Sequence, residues 1–432
     1  MTTIVVTVFV IGLIIFVHEL GHFLVAKKVG VKVERFSLGF PPKMIGKRIG
    51  ETEYCVSWIP FGGYVKLAGQ SDIGEPELQG EPWEFPSKSL PARMGIIAAG
   101  PGMNFLSAFL LFSAIVLFEG LATYNTTRVG EVQEGSPAQS AGIRVGDRII
   151  SVDGKQVKDW DEILRRTHVE RGRPIRIELE RNGEVQQVNL MLDSDTEVLG
   201  IAPYIEPRVG SVARNSPAER AGIRKGDLII AVNGQKVQQW ADMARKVHSL
   251  PGETITLEWE RGGEHLTATL TTDIREDFSK SGGTARYGVI GISLAYDKKK
   301  VGPLRAVQIG AWQTAMVTYM ILSFVKGLIT GEVSPRLLGG PVMIAQLAGE
   351  SARWGVERLL NFTAFLSVNL GLVNLFPIHI LDGGLLLFLA IEAIIRRPIP
   401  RRLRMVSLRI GLALIIILML YVTINDITRW IR

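Results

Sequence analysis

Cysteine is almost absent from this chain of 432 residues, and the one that occurs is Cys55. A single cysteine excludes an intrachain disulfide and any zinc site built from thiolates. Cys55 is therefore expected to behave as a small hydrophobic residue.

The start of the sequence also lacks the basic region of a signal peptide, and no A-x-A cleavage site precedes the first histidine. Residues 1–27 are therefore predicted to hold a retained transmembrane helix, at about 4–26.

Basic clusters of the kind that bind nucleic acid are missing as well, although the formal net charge is +7. The lysines and arginines are dispersed or lie beside apolar segments, as at 396–397 and 401–404. Charges in that position are typical of the cytoplasmic flanks of membrane helices. Hydrophobic residues make up 47% of the chain, and mean hydropathy is +0.22. Because the apolar residues concentrate in a few long runs, the composition indicates a membrane protein with soluble insertions and no nucleic-acid partner.

The strongest motif is His18-Glu19-Leu20-Gly21-His22, inside the first apolar run. On a helix, His18 and His22 lie on one face and can present two imidazoles to one metal ion. Glu19 lies about 100° further round the axis, where it can take a proton from a metal-bound water. Ionisable residues inside a spanning segment are costly and mark functional sites. The motif therefore predicts a metal centre rather than three solvated polar residues.

Residues 28–93 are predicted to form a cytoplasmic loop with a membrane-associated β-hairpin. Apolar and polar residues alternate over 54–58, residues 60–63 can turn the chain, and the returning strand contains Tyr64, Val65, Lys66 and Leu67. The free edge of that strand could pair with an extended substrate. The alternative is an ordinary amphipathic hairpin that lies on the bilayer.

A second transmembrane helix is predicted at 94–119, where small residues allow close helix packing and Asn104 can donate to a neighbour.

An internal repeat occupies residues 128–295. The segment from Gly135 to Asp147 recurs as Asn215 to Asp227. Each copy predicts a short helix, strands joined by Asp-Gly or Asn-Gly turns, and a longer helix after a tryptophan. Two tandem α+β modules result, at 128–205 and 206–295.

Both copies carry S-P-A-x-x-A-G-I-x-x-G-D and resemble bacterial PDZ domains, which have this signature. Such domains bind a peptide carboxyl terminus in a loop beside a strand. If the modules are circularly permuted PDZ domains, the corresponding loops are Leu199-Gly200-Ile201 and Ile290-Gly291-Ile292. The alternative is a rigid spacer that binds no peptide.

Residues 301–355 are predicted to form amphipathic helices that lie against the membrane, followed by transmembrane helices at 358–395 and 405–425. The segment 306–329 is long enough to cross, but a crossing there would place the arginines of 396–404 outside, against the positive-inside rule. The predicted fold class is therefore a polytopic α-helical membrane protein with four transmembrane helices, a membrane-associated β-hairpin and two tandem PDZ modules. In this topology the modules lie outside the cytoplasm.

Two histidines do not complete a catalytic zinc site, which needs a third protein ligand. No second histidine pair is available, and the topology brings Asp382 to the same side of the membrane as His18 and His22. The H-E-L-G-H motif, the L-D-G sequence at 381–383 and the tandem PDZ modules together resemble the site-2 protease family. The resemblance covers nearly the whole chain and implies a zinc-dependent intramembrane endopeptidase. It implies that Zn²⁺ is held by His18, His22 and Asp382, with Glu19 as general base.

The same resemblance implies that Asn369 and Asn374 hold unwound substrate backbone and that the hairpin at 54–68 is a membrane-reentrant β-loop. The substrate would be a single-pass protein of the bacterial inner membrane, typically an anti-sigma factor of the sigma-E envelope-stress response, with removed signal peptides as a second class. His379 stands where the family usually has proline, and it is left out of the ligand set. The alternatives are a catalytically silent PDZ chaperone or scaffold and a metal transporter. The intact glutamate of the H-E-x-x-H motif argues against the transporter.

Overall fold

The computed structural model describes residues 2–70, 80–168, 174–191, 199–278, 284–397 and 399–431. The chain forms two compact units: Met1–Phe118 with Gly302–Arg432, and Glu119–Ser279 with Gly283–Val301. Among the described helices, four are long and apolar enough to cross a membrane, judged by length and composition. These are Thr3–Lys28, Leu90–Glu119, Val356–Asn374 and Arg402–Thr428.

The first unit begins with α1 (Thr2–Lys28), a hairpin of β1 (Val33–Ile49) and β2 (Thr52–Leu67), and α2 (Leu90–Glu119). The hairpin turn lies at Gly50, which has a φ of +61°, and not at 60–63 as the sequence predicted. The first half of β1 lies between the two halves of β2, since Phe36 pairs with both Tyr54 and Val65. The glycines of 60–63 therefore let β2 fold back across β1 instead of joining two strands.

The second unit begins with β3 (Leu121–Thr123) and the first module. The elements of this module are β4 (Val129–Val132), α3 (Pro137–Ser140), β5 (Arg148–Val152), β6 (Lys155–Gln156), α4 (Trp160–His168), β7 (Pro174–Arg181), β8 (Glu184–Met191) and β9 (Ile201–Pro203). They form a four-stranded sheet in the order β6-β5-β7-β8 and a two-stranded sheet of β4 and β9. Ser136 caps α3 by accepting a hydrogen bond from the amide of Gln139, and Pro137 follows at the first helical position.

The second module has its elements in the same order, with an additional antiparallel pair of strands before the last strand. Its elements are β10 (Val209–Val212), α5 (Pro217–Arg220), β11 (Leu228–Val232), β12 (Gln235–Lys236), α6 (Trp240–His248), β13 (Thr254–Arg261), β14 (Glu264–Thr271), β15 (Asp273–Phe278), β16 (Thr284–Val289) and β17 (Ile292–Leu294). The sheets have the orders β12-β11-β13-β14 and β10-β17. In both modules the predicted turns, Asp153-Gly154 and Asn233-Gly234, have positive φ at both residues, as a type I′ hairpin requires.

The unit ends with β18 (Asp297–Lys299), which pairs antiparallel with β3. The Asn125 side chain donates a 2.8 Å hydrogen bond to Asp297, and Lys298 pairs with Glu119. We call the β3–β18 pair the neck. The strands by which the chain enters and leaves the second unit therefore lie side by side.

The first unit continues with α7 (Pro303–Thr330), α8 (Pro341–Trp354), α9 (Val356–Asn374), α10 (Asp382–Ile395) and α11 (Arg401–Ile431). The segment 358–395, predicted as one transmembrane helix, is two helices separated by residues 375–381. Pro377 lies in this break, and a proline interrupts helical hydrogen bonding. α9 packs against α2 through Ala364, Val368, Ala108 and Phe112.

Candidate active site

Two histidines of α1 face the interior of the first unit from successive turns. Nε2 of His18 lies 3.2 Å from Nε2 of His22, and His18 is 7% exposed. The spacing of four residues places both imidazoles on one side of the helix. Both imidazoles thus direct Nε2 at the same point.

Asp382 approaches this point from the start of α10. Its Oδ2 lies 3.1 Å from Nε2 of His18 and 3.5 Å from Nε2 of His22. The break after α9 makes this approach possible, because Gly383 and Gly384 fit closely against the carbonyls of Leu375 and Ile378. A Cβ on Gly383 would lie 2.2 Å from the carbonyl oxygen of Leu375, so this turn excludes larger residues.

The three side chains form a suitable donor set for a metal ion. One ligand atom from each lies within 4.8 Å of the others, and in the described part of the chain no other trio of such residues meets this criterion. Oδ2 of Asp382 is buried and makes no hydrogen bond, although two imidazole nitrogens lie within 3.5 Å of it. Two imidazoles and one carboxylate are a common protein ligand set of catalytic zinc. The residues present therefore fit a zinc ion.

α2 completes the surroundings of the histidines. Nδ1 of His22 lies 2.8 Å from the carbonyl oxygen of Ile96, and Nδ2 of Asn104 lies 3.1 Å from Nδ1 of His18. A Cβ on Gly100 would lie 2.2 Å from Nε2 of His22. Sequence reasoning assigned the small residues of this segment to helix packing and expected Asn104 to donate to a neighbour, but it did not identify the histidines as the groups in contact. The available signal was an asparagine one helical turn after a Gly-Pro pair in an apolar run.

A cavity of about 400 Å³ opens beside the three side chains. Its lining includes Glu19, Tyr64, Val65, Leu67 and Asn374 among the residues singled out from the sequence. The backbone amide of Val65 lies near the Glu19 carboxylate.

Two of the residues singled out do not line this cavity. Lys66 points away from it and pairs with Glu34 at 2.8 Å. Asn369 is not among the lining residues, whereas its neighbour Leu370 is. The alternation of side chains along a strand explains the position of Lys66 between two lining residues.

His379 lies in the break between α9 and α10, outside the cavity lining. Its ring packs edge-on against Phe388 with a centroid distance of 4.5 Å, and its Nδ1 is buried without a hydrogen-bond partner. His379 is therefore not brought to the point where His18, His22 and Asp382 meet.

In the modules, the predicted peptide-binding loops occupy corresponding positions. Gly200 and Gly291 have φ values of +77° and +81°, and each is followed by the isoleucine that begins β9 or β17. The carbonyl of Leu199 accepts a hydrogen bond from the amide of Ala138 in α3. Each loop therefore lies beside the short capped helix of its module.

Comparison with known proteins identifies the family of this chain. The profile of peptidase family M50 matches residues 6–418. The chain belongs to peptidase family M50. Members of this family are zinc metalloproteases, so the M50 chain described here is a zinc-dependent metalloendopeptidase, and its relatives indicate a multi-pass protein of the bacterial inner membrane.

Curated M50 relatives match along nearly their whole length. The regulator of sigma-E protease RseP of Salmonella typhimurium is 37% identical over 442 residues, which cover 97% of each chain. RseP of Escherichia coli is 37% identical over 445 residues, again 97% of each chain. A Vibrio cholerae protein named as a candidate zinc metalloprotease is 35% identical over 449 residues, also 97% of each chain.

Solved structures match a shorter part of the M50 chain. The PDZ domain of an SdrC-like protein from Listeria monocytogenes is 24% identical, covers 22% of this chain and 90% of its own, and gives a TM-score of 0.17. The second domain of the Listeria protein Lin2157 is 26% identical, covers 22% of this chain and 87% of its own, and gives a TM-score of 0.16.

Proposed function

We propose that this metalloprotease cleaves single-pass membrane proteins within their transmembrane segments. The observation that carries the proposal is the meeting of His18, His22 and Asp382 between apolar helices, with Glu19 in the adjoining cavity. His18, Glu19 and His22 come from a helix long and apolar enough to span, and Asp382 begins the helix that follows another such helix. A site between such helices is accessible to the transmembrane segments of other proteins rather than to soluble substrates.

His18, His22 and Asp382 would hold the zinc ion. When bound, zinc polarises the scissile carbonyl and makes water acidic enough to act as a nucleophile near neutral pH. Glu19 takes the proton of the attacking water and later gives it to the leaving amine. The Val65 amide lies near the Glu19 carboxylate and would help to orient it, and Asn374 at the cavity wall can donate its side-chain amide to substrate backbone.

β2 supplies the edge along which an unwound substrate would lie. A helical substrate hides its carbonyls in its own hydrogen bonds, so cleavage requires local unwinding, and strand addition satisfies the backbone groups thus released. Tyr64, Val65 and Leu67 line the cavity, and the Lys66 side chain pairs with Glu34. Lys66 would therefore contribute through its backbone, and its side chain would remain with Glu34.

The relatives and the two modules support a proposal for the substrate class. Relatives named as regulators of sigma-E support an anti-sigma factor as substrate, and removed signal peptides are a second class. The modules are PDZ domains placed outside the cytoplasm, since the arginines of 396–404 are expected on the cytoplasmic side. They exclude substrates with bulky outer domains or bind the carboxyl terminus left by a first cut, through Leu199–Ile201 and Ile290–Ile292.

The test is cleavage of a single-pass reporter in proteoliposomes by Glu19→Gln. We expect cleavage to fall at least about a thousandfold, because the variant keeps the shape of the side chain but cannot accept the proton. Glu332→Gln, the same substitution at an exposed residue, is the control and should cleave like the wild type. Unchanged turnover in Glu19→Gln would favour the alternative function of a silent PDZ chaperone or scaffold.

A further inference from the structure

Asn104 is a fully buried polar side chain in an apolar helix. It is 0% exposed, its Nδ2 lies 3.1 Å from Nδ1 of His18, and its Oδ1 is buried without a hydrogen-bond partner. A buried polar atom without a partner is costly and needs a physical explanation. The contact with His18 explains why an asparagine is present at this buried position.

The chemistry of a metal-binding imidazole decides which atom of Asn104 must face His18. Nε2 of His18 is directed at Asp382 and His22, so it is the nitrogen available to the zinc ion and must present its lone pair. The proton of the neutral ring is then on Nδ1, which has to donate a hydrogen bond. The partner of Nδ1 must therefore be an acceptor.

His22 shows the same requirement met by the backbone. Its Nδ1 lies 2.8 Å from the carbonyl oxygen of Ile96, which can only accept. Nδ1 of His22 therefore donates, and its Nε2 is left free for the metal. Both histidines therefore form their second hydrogen bond with α2. The partner of His22 is a backbone carbonyl, and the partner of His18 is Asn104.

A half-turn of the Asn104 amide supplies the acceptor that His18 needs. The amide oxygen and nitrogen have nearly the same shape and are assigned from their partners. The half-turn brings Oδ1 to Nδ1 of His18 and moves Nδ2 to the position of the unpartnered oxygen. The number of unpartnered atoms stays the same, so the requirement of His18 decides the orientation.

The backbone of Asn104 is fixed independently of its side chain. Its carbonyl accepts hydrogen bonds from the hydroxyls of Ser107 at 3.1 Å and Ser367 at 2.9 Å, and these hydroxyls lie 2.8 Å apart. Ser367 belongs to α9, so α2 and α9 together hold Asn104 at the depth of His18. Gly371 of α9 leaves room for this approach, since a Cβ there would lie 3.2 Å from Cβ of Asn104.

We propose that Asn104 is a positioning residue whose Oδ1 accepts a hydrogen bond from Nδ1–H of His18 and so keeps Nε2 of His18 directed at the zinc ion. The inference rests on the proposed ligand set. Asn104 itself does not touch the metal or the substrate. Its effect should therefore appear first in zinc affinity.

The experiment measures the zinc dissociation constant of the full chain in detergent, by competition with a chelator, for Asn104→Leu and Asn104→Asp. Leu removes the acceptor, and we expect it to weaken zinc binding about 10- to 100-fold, the usual effect of losing such a partner. Asp keeps an acceptor and cannot donate when ionised, so it should stay within about threefold of the wild type. The proposal would be overturned if Asn104→Asp weakened zinc binding as much as Asn104→Leu, or if Asn104→Leu did not weaken it.

Two controls separate this role from packing and from the ligand set. Ser367→Ala removes a hydrogen bond to the Asn104 carbonyl without touching His18, and it should leave zinc affinity unchanged; a loss equal to that of Asn104→Leu would overturn the proposal. His22→Ala should abolish zinc binding, and zinc retained there would contradict the ligand set instead. Should Asn104→Leu fail to fold, ¹⁵N NMR of the zinc-loaded wild type still decides, because a proton absent from Nδ1 of His18 would contradict the inference.

Discussion

Gly100 shows how tightly single residues control the site. A Cβ there would lie 2.2 Å from Nε2 of His22 and 2.9 Å from Cε1 of His18. Neither imidazole can move away without leaving the point at which it meets Asp382. The proposed metal centre therefore requires a residue without a side chain at this position.

We expect Gly100→Ala to lower zinc affinity at least about tenfold, because displaced ligands bind more weakly. Zinc content after gel filtration of the full chain is the measurement. Gly102→Ala on the same helix is the matched control, since nothing lies within 4 Å of the added methyl group. Equal zinc content in the two variants would contradict the prediction.

Asp227 makes the stability of the second module depend on pH. Its carboxylate accepts hydrogen bonds from both Nε and Nη2 of Arg261 at 2.7 Å and from the Arg224 amide at 2.8 Å. Burial raises the pKa of Asp227, but these bonds and the Arg261 charge outweigh it, so the net pKa lies below the usual 3.8. The stability that Asp227 contributes is present above its unfolded pKa and is lost as pH falls through the lower folded pKa.

We therefore expect the second module to lose stability below about pH 4. Asp227→Asn should cost about 1.5 kcal/mol at pH 7, because the charge-assisted hydrogen bonds from Arg261 are lost while the Arg261 side chain, 32% exposed, is partly solvated. It should also remove much of the acid sensitivity of this module. Hydrogen exchange of the β11–β13 amides against pH measures both effects. An unchanged acid midpoint in the variant would show that another group is responsible.

At the scale of elements, the edge of β2 lines the cavity beside Glu19. Val65→Pro removes the backbone amide that lies near the Glu19 carboxylate. We expect cleavage to fall about 10- to 100-fold with zinc content unchanged. Val65→Ala keeps the amide and is the control, so a similar loss in both variants would attribute the effect to the side chain.

Elements with a strong local pattern could be predicted from the sequence, and those that depend on tertiary contacts could not. The helical spacing of His18 and His22 and the Asp-Gly and Asn-Gly turns are local, and the structure has them as expected. The turn at Gly50 was missed because the more conspicuous glycines at 62–63 serve a fold-back of β2 across β1. The Ile96 and Asn104 contacts with the histidines depend on how α2 packs against α1, which no spacing along the sequence reveals.

At the scale of the whole molecule, the two units allow the proposed size selection to be tested. A chain in which residues 125–295 are replaced by a short Gly-Ser linker keeps both neck strands. If the modules exclude bulk, this chain should cleave a reporter with an intact outer domain, which the full chain leaves uncut. If they bind a new carboxyl terminus, cleavage of the trimmed reporter should fall instead. Zinc content checks that the metal centre is assembled.

The neck also affects how the proposed zinc ligands come together. The histidines precede the second unit in the chain and Asp382 follows it, so the pairing of β3 with β18 shortens the effective tether between the two halves of the metal centre. Because the entropy of closing a loop grows with its length, this tether raises the local concentration of Asp382 around the histidines. A chain nicked between the two modules should then stay assembled as two noncovalent fragments, held at the neck and still carrying zinc.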